Sequence, residues 1–586
     1  DSLMKFYALL LSLFAASLAE EHGPQIHCGT MQVAARWKTQ GTSGLPTARV
    51  SASSLPSARS YATNHFVIHY SLAKDVNRVK LVTQDSALKR KVDSILSSLP
   101  TSWTTLRRDS AMHAGLTSIK APHPLYIQRA AIYLERAYAY YVDSLGMDAP
   151  SGSNPDKYYN VVSDGTKYTV FIGDINTLES FDGSGPTYAL TYPNPDGYML
   201  LENDFLYDAL WDNAQNTTSG KAITSSLNNQ LLYDYTVEWD LGLKVTVSHE
   251  YYHALQYTYT APSDIHAWYE LSAVGMEERL VPESKDYFQY LPYSLGKHEQ
   301  VSLLVTYPNL LENYGNATFH QYLTKIFGRA FDVKVWAALR SNNNLQAALN
   351  TMVQSFGARW DTLYAGYTAA MGMAGRAGST ASCTDTTATI FTRDLRCWPV
   401  PTYDTLSQNM SAKTLNVPAL TYRFVKPLAS GKAGVVTLTN LNTGTQRVLR
   451  SGTVYSTTSQ SGTDFLLPPS PDSSVVFLSI ANASFTQTGK MALSVRSLGF
   501  GAYPNPVVTG NSVSFFAPSG TPAGTLLTII SQSGKRVAQL SLTTGSGSGD
   551  SWTWNQRDTQ NRAVPPGTYF YRMSGQPVKT LLILAH

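Results

Sequence analysis

The stretch Val247-Ser248-His249-Glu250-Tyr251-Tyr252-His253-Ala254-Leu255 constrains this chain more than any other. Two histidines stand four residues apart around a glutamate, inside an otherwise apolar run. Residues four apart share one face of a helix. His249 and His253 can therefore offer two imidazole nitrogens to one zinc ion. Glu250 stands one step round, where it would act as a base toward a zinc-activated water and not as a ligand. No Pro or Gly interrupts 243–260, so the pattern predicts a helix of several turns. Thr246, Val247, Tyr251, Tyr252, Ala254 and Leu255 carry no charge, as a buried helix requires. A pair of core histidines beside a structural carboxylate has no need of this triplet at this spacing.

A catalytic zinc takes three protein ligands and keeps one position open. Downstream, Glu270, Ala273 and Glu277 fall at i, i+3 and i+7 and form one helical stripe. Carboxylates in an apolar segment are costly unless a positive charge faces them. Glu270 is the expected third ligand. Glu277 is either an acceptor for a ligand imidazole N–H or a plain salt-bridge carboxylate on a solvated face. Small Ala273 lets the two helices approach closely. Asp264 and His266 are the rival third ligands. A metzincin needs Gly and His three and six residues after the second histidine. Gln256 and Tyr259 stand there instead, which excludes that class.

The HExxH helix followed by Glu-x-x-Ala resembles the gluzincin arrangement of thermolysin-like zinc peptidases, with a slightly shorter separation between His253 and Glu270. The chain is also similar to a group of secreted bacterial metalloproteases. The shared features are His65-Phe66-Val67-Ile68-His69-Tyr70, the run His249 to Gln256, Trp268-x-Glu270-x-x-Ala273, and Tyr314-Gly315 with Phe319. This resemblance spans roughly residues 60 to 370. It implies a zinc peptidase with His249, His253 and Glu270 as metal ligands and Glu250 as general base. It carries no substrate preference.

The 586 residues are too many for one core and suggest three to four domains. A formal net charge of +4 gives no argument for nucleic acid. With 15% charged residues and 36 Tyr, the surface is expected to be solvated by hydroxyls and amides, as in secreted proteins. Residues 1–19 read as a secretory signal peptide, with Met4 as its start and a small-x-small end at Ser17-Leu18-Ala19. No segment is apolar enough to span a bilayer. Residues 20–60 read as a linker or pro-segment. Of the three cysteines, Cys383 and Cys397 are expected to pair. Cys28 is then odd: free, or paired after a pro-segment rearrangement, with ligation of the zinc the least favoured of the three. Lys89-Arg90-Lys91 and Arg107-Arg108 are candidate processing sites, although basic runs are usually solvated surface.

Strands are predicted over 64–72, 167–175 and 198–205, and a helix over Pro124 to Leu145 that stops at Gly146. Pro186 to Thr191 is a candidate for an edge strand that could pair with an extended substrate. Helices follow over 317–327, 333–339 and 345–371. An oxyanion-stabilising residue could come from Tyr293, His298, Tyr307, Tyr314 or His320, and the sequence does not choose among them. From about residue 381, short alternating runs (435–438, 448–454, 475–481, 491–495) predict a β-sandwich without a visible site. From residue 501, Tyr503-Pro504-Asn505-Pro506, Gly534-Lys535 and Pro566-Gly567-Thr568-Tyr569 keep an order that resembles the Ig-like C-terminal sorting module of type IX secretion cargo, related to the flagellar-hook-capping Ig-like domain. That resemblance implies export and a secretion-machinery partner, and no chemistry.

The expectation is thus an α+β multidomain chain. A zincin-like domain of mixed sheet and helices at 61–380 precedes a β-sandwich at 381–500 and an Ig-like sorting domain at 501–586. The expected function is a secreted or outer-surface zinc endopeptidase acting on protein or peptide. The alternative is a cell-surface adhesin or glycan-binding protein with a non-catalytic zinc domain.

Overall fold

The computed structural model describes Cys28, Thr30, Leu55, Ile175 and residues 58–71, 125–150, 167–173, 187–192, 197–203, 223–225, 230–232, 239–260, 265–304, 310–375, 389–402, 404–406, 413–427, 434–440, 445–450, 453–458, 463–467, 476–497, 500–503, 505–517, 521–542 and 551–585. The signal peptide, Asp264, Tyr307, Cys383 and both basic processing candidates lie outside them. The protein is α+β and multidomain, with several sheets. Its contacts divide it into two compact units. Unit 1 comprises residues 1–297, 303–359 and 375–399. Unit 2 comprises 298–302, 360–374 and 400–586.

Unit 1 holds a five-stranded mixed sheet. Its strands are β1 (Arg59–Ala62), β2 (Phe66–Tyr70), β3 (Tyr168–Ile172), β4 (Ala189–Thr191) and β5 (Tyr198–Leu201), in spatial order β1-β2-β3-β5-β4. β2, β3 and β5 run parallel, while β1 and β4 close the two edges antiparallel to their neighbours. The apolar content follows the position in the sheet. β2 alternates, burying Phe66, Ile68 and Tyr70, whereas central β3 and β5 are buried at every residue. β4, at the far edge, is the predicted edge segment.

Helix α1 (Leu125–Tyr138) buries Tyr126, Ile127, Ala130, Ala131, Leu134 and Ala137, a stripe of 3–4 spacing. It continues as a π-helical turn over Ala139–Ser144, ending where Gly146 takes φ +78°. The widened turn carries Tyr141 inward, and its hydroxyl donates to the Ser248 carbonyl at 3.0 Å. Helix α2 (Trp239–Gln256) carries both motif histidines. Its apolar residues point in every direction, because Leu243, Val245, Val247, Tyr251, Tyr252, Ala254 and Leu255 are all buried. Such a helix sits in the middle of a core. Tyr251 packs edge-on to Phe66 at 5.0 Å, which ties α2 to β2.

Helix α3 (His266–Leu280) is buried at every residue except Arg279. Helices α4 (Leu310–Gly315), α5 (Ala317–Phe327), α6 (Phe331–Asn342) and α7 (Leu345–Ser355) follow. The single helix expected over 345–371 is two: Gly357, at φ +70°, ends α7, and α8 (Trp360–Met371) belongs to unit 2. α5 lies close against α3, where a Cβ on Gly275 would meet His320 Nδ1 at 2.2 Å. His320 Nε2 in turn pairs with Asp332 at 3.0 Å, and Asp332 accepts from the Tyr252 hydroxyl at 2.7 Å. This network pins α5 and α6 behind the motif helix.

Unit 2 is mostly strand. One sheet orders Thr453–Thr458, Thr445–Arg450, Val476–Ala481, Tyr422–Pro427 and Asp404–Leu406. A second orders Thr463–Leu467, Gly434–Asn440, Gly489–Ser497 and Lys413–Val417. The expected single run at 448–454 falls across two paired strands, Thr445–Arg450 and Thr453–Thr458. Beyond residue 500 a three-stranded and a five-stranded sheet share one core. Phe515, Trp552 and Trp554 come from one, and Leu527, Ile529, Tyr571 and Leu581 from the other. Gly534 at φ +83° makes the hairpin turn between Leu526–Ser531 and Arg536–Ser541.

Gly275→Ala should destabilise unit 1 by about 1–3 kcal/mol, because the methyl group has to displace the His320 ring. Urea unfolding followed by tyrosine fluorescence checks this. An unchanged midpoint would contradict the close approach of α5.

Candidate metal centre

The two helices bring the expected residues together. His249 and His253 lie one turn apart on α2, with Nε2 atoms 2.9 Å from each other. Glu270, in the second turn of α3, places its Oε2 3.3 Å from His249 Nε2 and 3.7 Å from His253 Nε2. Neither Glu270 oxygen accepts a hydrogen bond, although the side chain is wholly buried. His266 opens α3 and is not among these converging groups.

The imidazole orientations are fixed from behind. Gln256, three residues after His253, donates its amide to the Tyr269 carbonyl at 3.0 Å and to Ser272 Oγ at 3.1 Å. Its carbonyl oxygen therefore faces His253 Nδ1, 2.7 Å away, and Nδ1 carries the proton. His249 Nδ1 pairs with Glu277 Oε1 at 2.5 Å. Glu277 is thus an acceptor for a ligand-type imidazole, not a surface carboxylate. With both Nδ1 atoms engaged, the two Nε2 atoms face each other at 2.9 Å, an arrangement that needs a proton or a metal ion between them.

The centre contains a fourth group. Cys28 Sγ lies 3.5 Å from His253 Nε2, and the ligating atoms of Cys28, His249, His253 and Glu270 all fall within 4.8 Å of one another. All four residues are buried. A tetrahedral ion with bonds of about 2.0–2.3 Å separates nitrogen or oxygen donors by about 3.3 Å, and nitrogen from sulfur by about 3.6 Å. The observed separations bracket those values. Thiolate, imidazole and carboxylate are also the donors a borderline-soft divalent ion takes. The group can hold a metal ion.

Electrostatics agree. Burial alone would raise the Glu270 carboxyl, but His253 and His249 outweigh it and hold its pKa at about 2. Burial alone would lower His249, but Cys28, Glu270 and Glu277 keep it well above the usual imidazole value. Burial pushes the Cys28 thiol well up, and Glu250 and Glu270 push the same way. The pocket thus concentrates negative potential on one point.

Glu250 sits beside this group. Its Oε2 accepts from Thr191 Oγ1 of β4 at 2.7 Å and from Thr30 Oγ1 at 2.8 Å. A small cleft adjoins, lined by Val245, Thr246, Val274, Asp286, Tyr290 and Tyr314 together with Cys28, His249, Glu250 and Glu277.

Of the five oxyanion candidates, Tyr314 alone among the described residues lines this cleft. Its ring stands edge-on to His249 at 6.2 Å, and its buried hydroxyl has no hydrogen-bond partner. His320 is engaged with Asp332, and Tyr293 is half-exposed under the Lys297 ammonium. His298 belongs to unit 2, where it stacks on Tyr422 at 4.9 Å.

The sequence had not singled out Thr30, Thr191 or Tyr290 for any role. It had disfavoured Cys28 as a ligand, and the structure places Cys28 within the converging group. Cys28 forms no disulfide, while Cys397 is disulfide-bonded. Gln256 had a usable signal, since it lies three residues after His253 on the same helix face.

Comparison with known proteins adds little. No family model matches the chain, and no curated protein does. Among the solved structures that match are two that align over part of the chain. One is PorZ, a surface component of the type-IX secretion system of Porphyromonas gingivalis, at 20% identity and TM-score 0.12, over 18% of this chain and 15% of that one. The other is a Faecalibacterium prausnitzii β-glucuronidase, at 11% identity and TM-score 0.11, over 30% and 38%. Both alignments are too loose to bear on fold or function. Among the described residues no helix is long and apolar enough to cross a membrane.

Glu277→Gln should weaken metal binding about 10–100-fold by loosening His249. Competition against a fluorescent chelator measures this, and an unchanged affinity would show that Glu277 does not orient the ligand.

Proposed function

We propose that this protein is a zinc-dependent endopeptidase of zincin-like architecture. His249, His253 and Glu270 would be its metal ligands and Glu250 its general base. The observation that carries the reading is the convergence of two Nε2 atoms and one hydrogen-bond-free carboxylate, with a second carboxylate alongside. A zinc ion held there would acidify a water molecule and polarise a carbonyl.

The chain's own residues divide the remaining work. Glu250 is placed to take a proton from the attacking water and return it to the leaving amine. The Thr191 hydroxyl holds that carboxylate in place from the edge strand. β4 offers its outer edge to an extended peptide, so substrate would add as a further strand. The Tyr314 hydroxyl, buried and without a partner, is the group available to donate to oxygen charge developing on the substrate. The ordered motifs at 503–506, 534–535 and 566–569 support export through a type IX route to the outside of the cell or its outer surface.

Two substitutions test the reading, each made in a chain whose Cys28 is replaced by Ala. Glu250→Gln should keep stoichiometric zinc and abolish casein cleavage. Full activity in that variant would remove the mechanism. Tyr314→Phe should lower kcat about 10²–10³-fold with little change in KM. An unaltered kcat would exclude the tyrosine as oxyanion donor.

A further inference from the structure

Cys28 and Thr30 touch each part of the centre that a peptide substrate would need. Cys28 Sγ fills the fourth corner of the ligand group, 3.5 Å from His253 Nε2 and beside the hydrogen-bond-free Glu270 carboxylate. Thr30 Oγ1 donates to Glu250 Oε2 at 2.8 Å, on the same oxygen that Thr191 holds. The Thr191 backbone N–H, on β4, donates to Thr30 Oγ1 at 2.8 Å. Cys28 itself makes a parallel β-bridge to Ala189 of β4. The Thr30 N–H, 3.3 Å from Cys28 Sγ, donates to the sulfur and supports negative charge on it.

A stray surface thiol would explain none of this. Both Cys28 and Thr30 are buried, at 2% and 0% exposure, although more than 200 residues separate them from the motif helix (|i−j| = 225 for Cys28 and His253). The open metal position, the general base and the substrate edge are each occupied by this short piece of chain.

We propose that the segment bearing Cys28 and Thr30 is an internal inhibitor that keeps the peptidase latent. Cys28 Sγ is the fourth metal ligand in place of water, and Thr30 caps the general base. The proposal rests on the peptidase reading above and adds its regulation. Activation requires a peptidase to hydrolyse one peptide bond C-terminal to Thr30, after which the tether is lost and water replaces the sulfur. As a tethered ligand the segment acts at a high effective concentration, so removing its metal-binding atom should free most of the sites.

The test uses the full chain in zinc and cobalt(II) forms, as wild type, Cys28→Ala and Cys28→Ser. In the cobalt form, wild type should show a thiolate-to-metal charge-transfer band that both variants lack. In the zinc form, Cys28 should react slowly with iodoacetamide and quickly once the metal is chelated. Casein cleavage should rise about 10²-fold in both variants with zinc content unchanged. A wild-type spectrum without the band, or a thiol equally reactive with and without metal, overturns the proposal and leaves the peptidase reading intact. Variants no more active than an already active wild type also overturn latency alone. A band that the variants lose, in chains that cleave nothing in any form, refutes the peptidase reading and latency together while leaving Cys28 a ligand.

Discussion

Glu270 lies wholly buried between two helices, and neither of its oxygens accepts a hydrogen bond. An ionised carboxylate in such a place is costly unless positive charge meets it. Here two imidazole Nε2 atoms stand 3.3 and 3.7 Å away, themselves turned inward. Each of these groups is badly placed without a cation and well placed with one. The surrounding packing serves that arrangement. Gln256 and Glu277 lock the rings, and α3 is held close by α5 through Gly275.

Much of this was legible in the sequence because the informative contacts are local. The four-residue spacing of His249 and His253 sets a shared face whatever the tertiary context. The i, i+3, i+7 stripe put Glu270, Ala273 and Glu277 on one helix face, while leaving Glu277 open between an imidazole acceptor and a surface carboxylate. The parallel strands β2, β3 and β5 showed their buried, β-branched and aromatic character, and only their ends differed. The π-helical turn after α1 and the break at Gly357 were not legible. The first depends on Tyr141 reaching Ser248, and a lone glycine in a helical pattern does not announce a turn.

The remaining residues at the centre could not be read from spacing at all. Cys28 with Thr30, Thr191, and Tyr314 come from three segments widely separated in sequence, and only the sheet edge and the helix ends bring them to one point. Thr191 is an ordinary strand residue by composition. Tyr314 is one of 36 tyrosines, and its distinction is a buried hydroxyl without a partner. Low sequence complexity around residues 20–60 hides the fact that one short stretch is bound tightly while its neighbours carry no periodic signal.

The central claim is that two imidazoles and one carboxylate hold a single divalent ion. Elemental analysis of the purified chain tests it most directly, with wild type compared against His253→Ala and Glu270→Ala. The account predicts one zinc per wild-type chain after dialysis and a large loss in both variants. A wild type that retains no metal, or a Glu270→Ala chain that binds zinc as tightly, would contradict it.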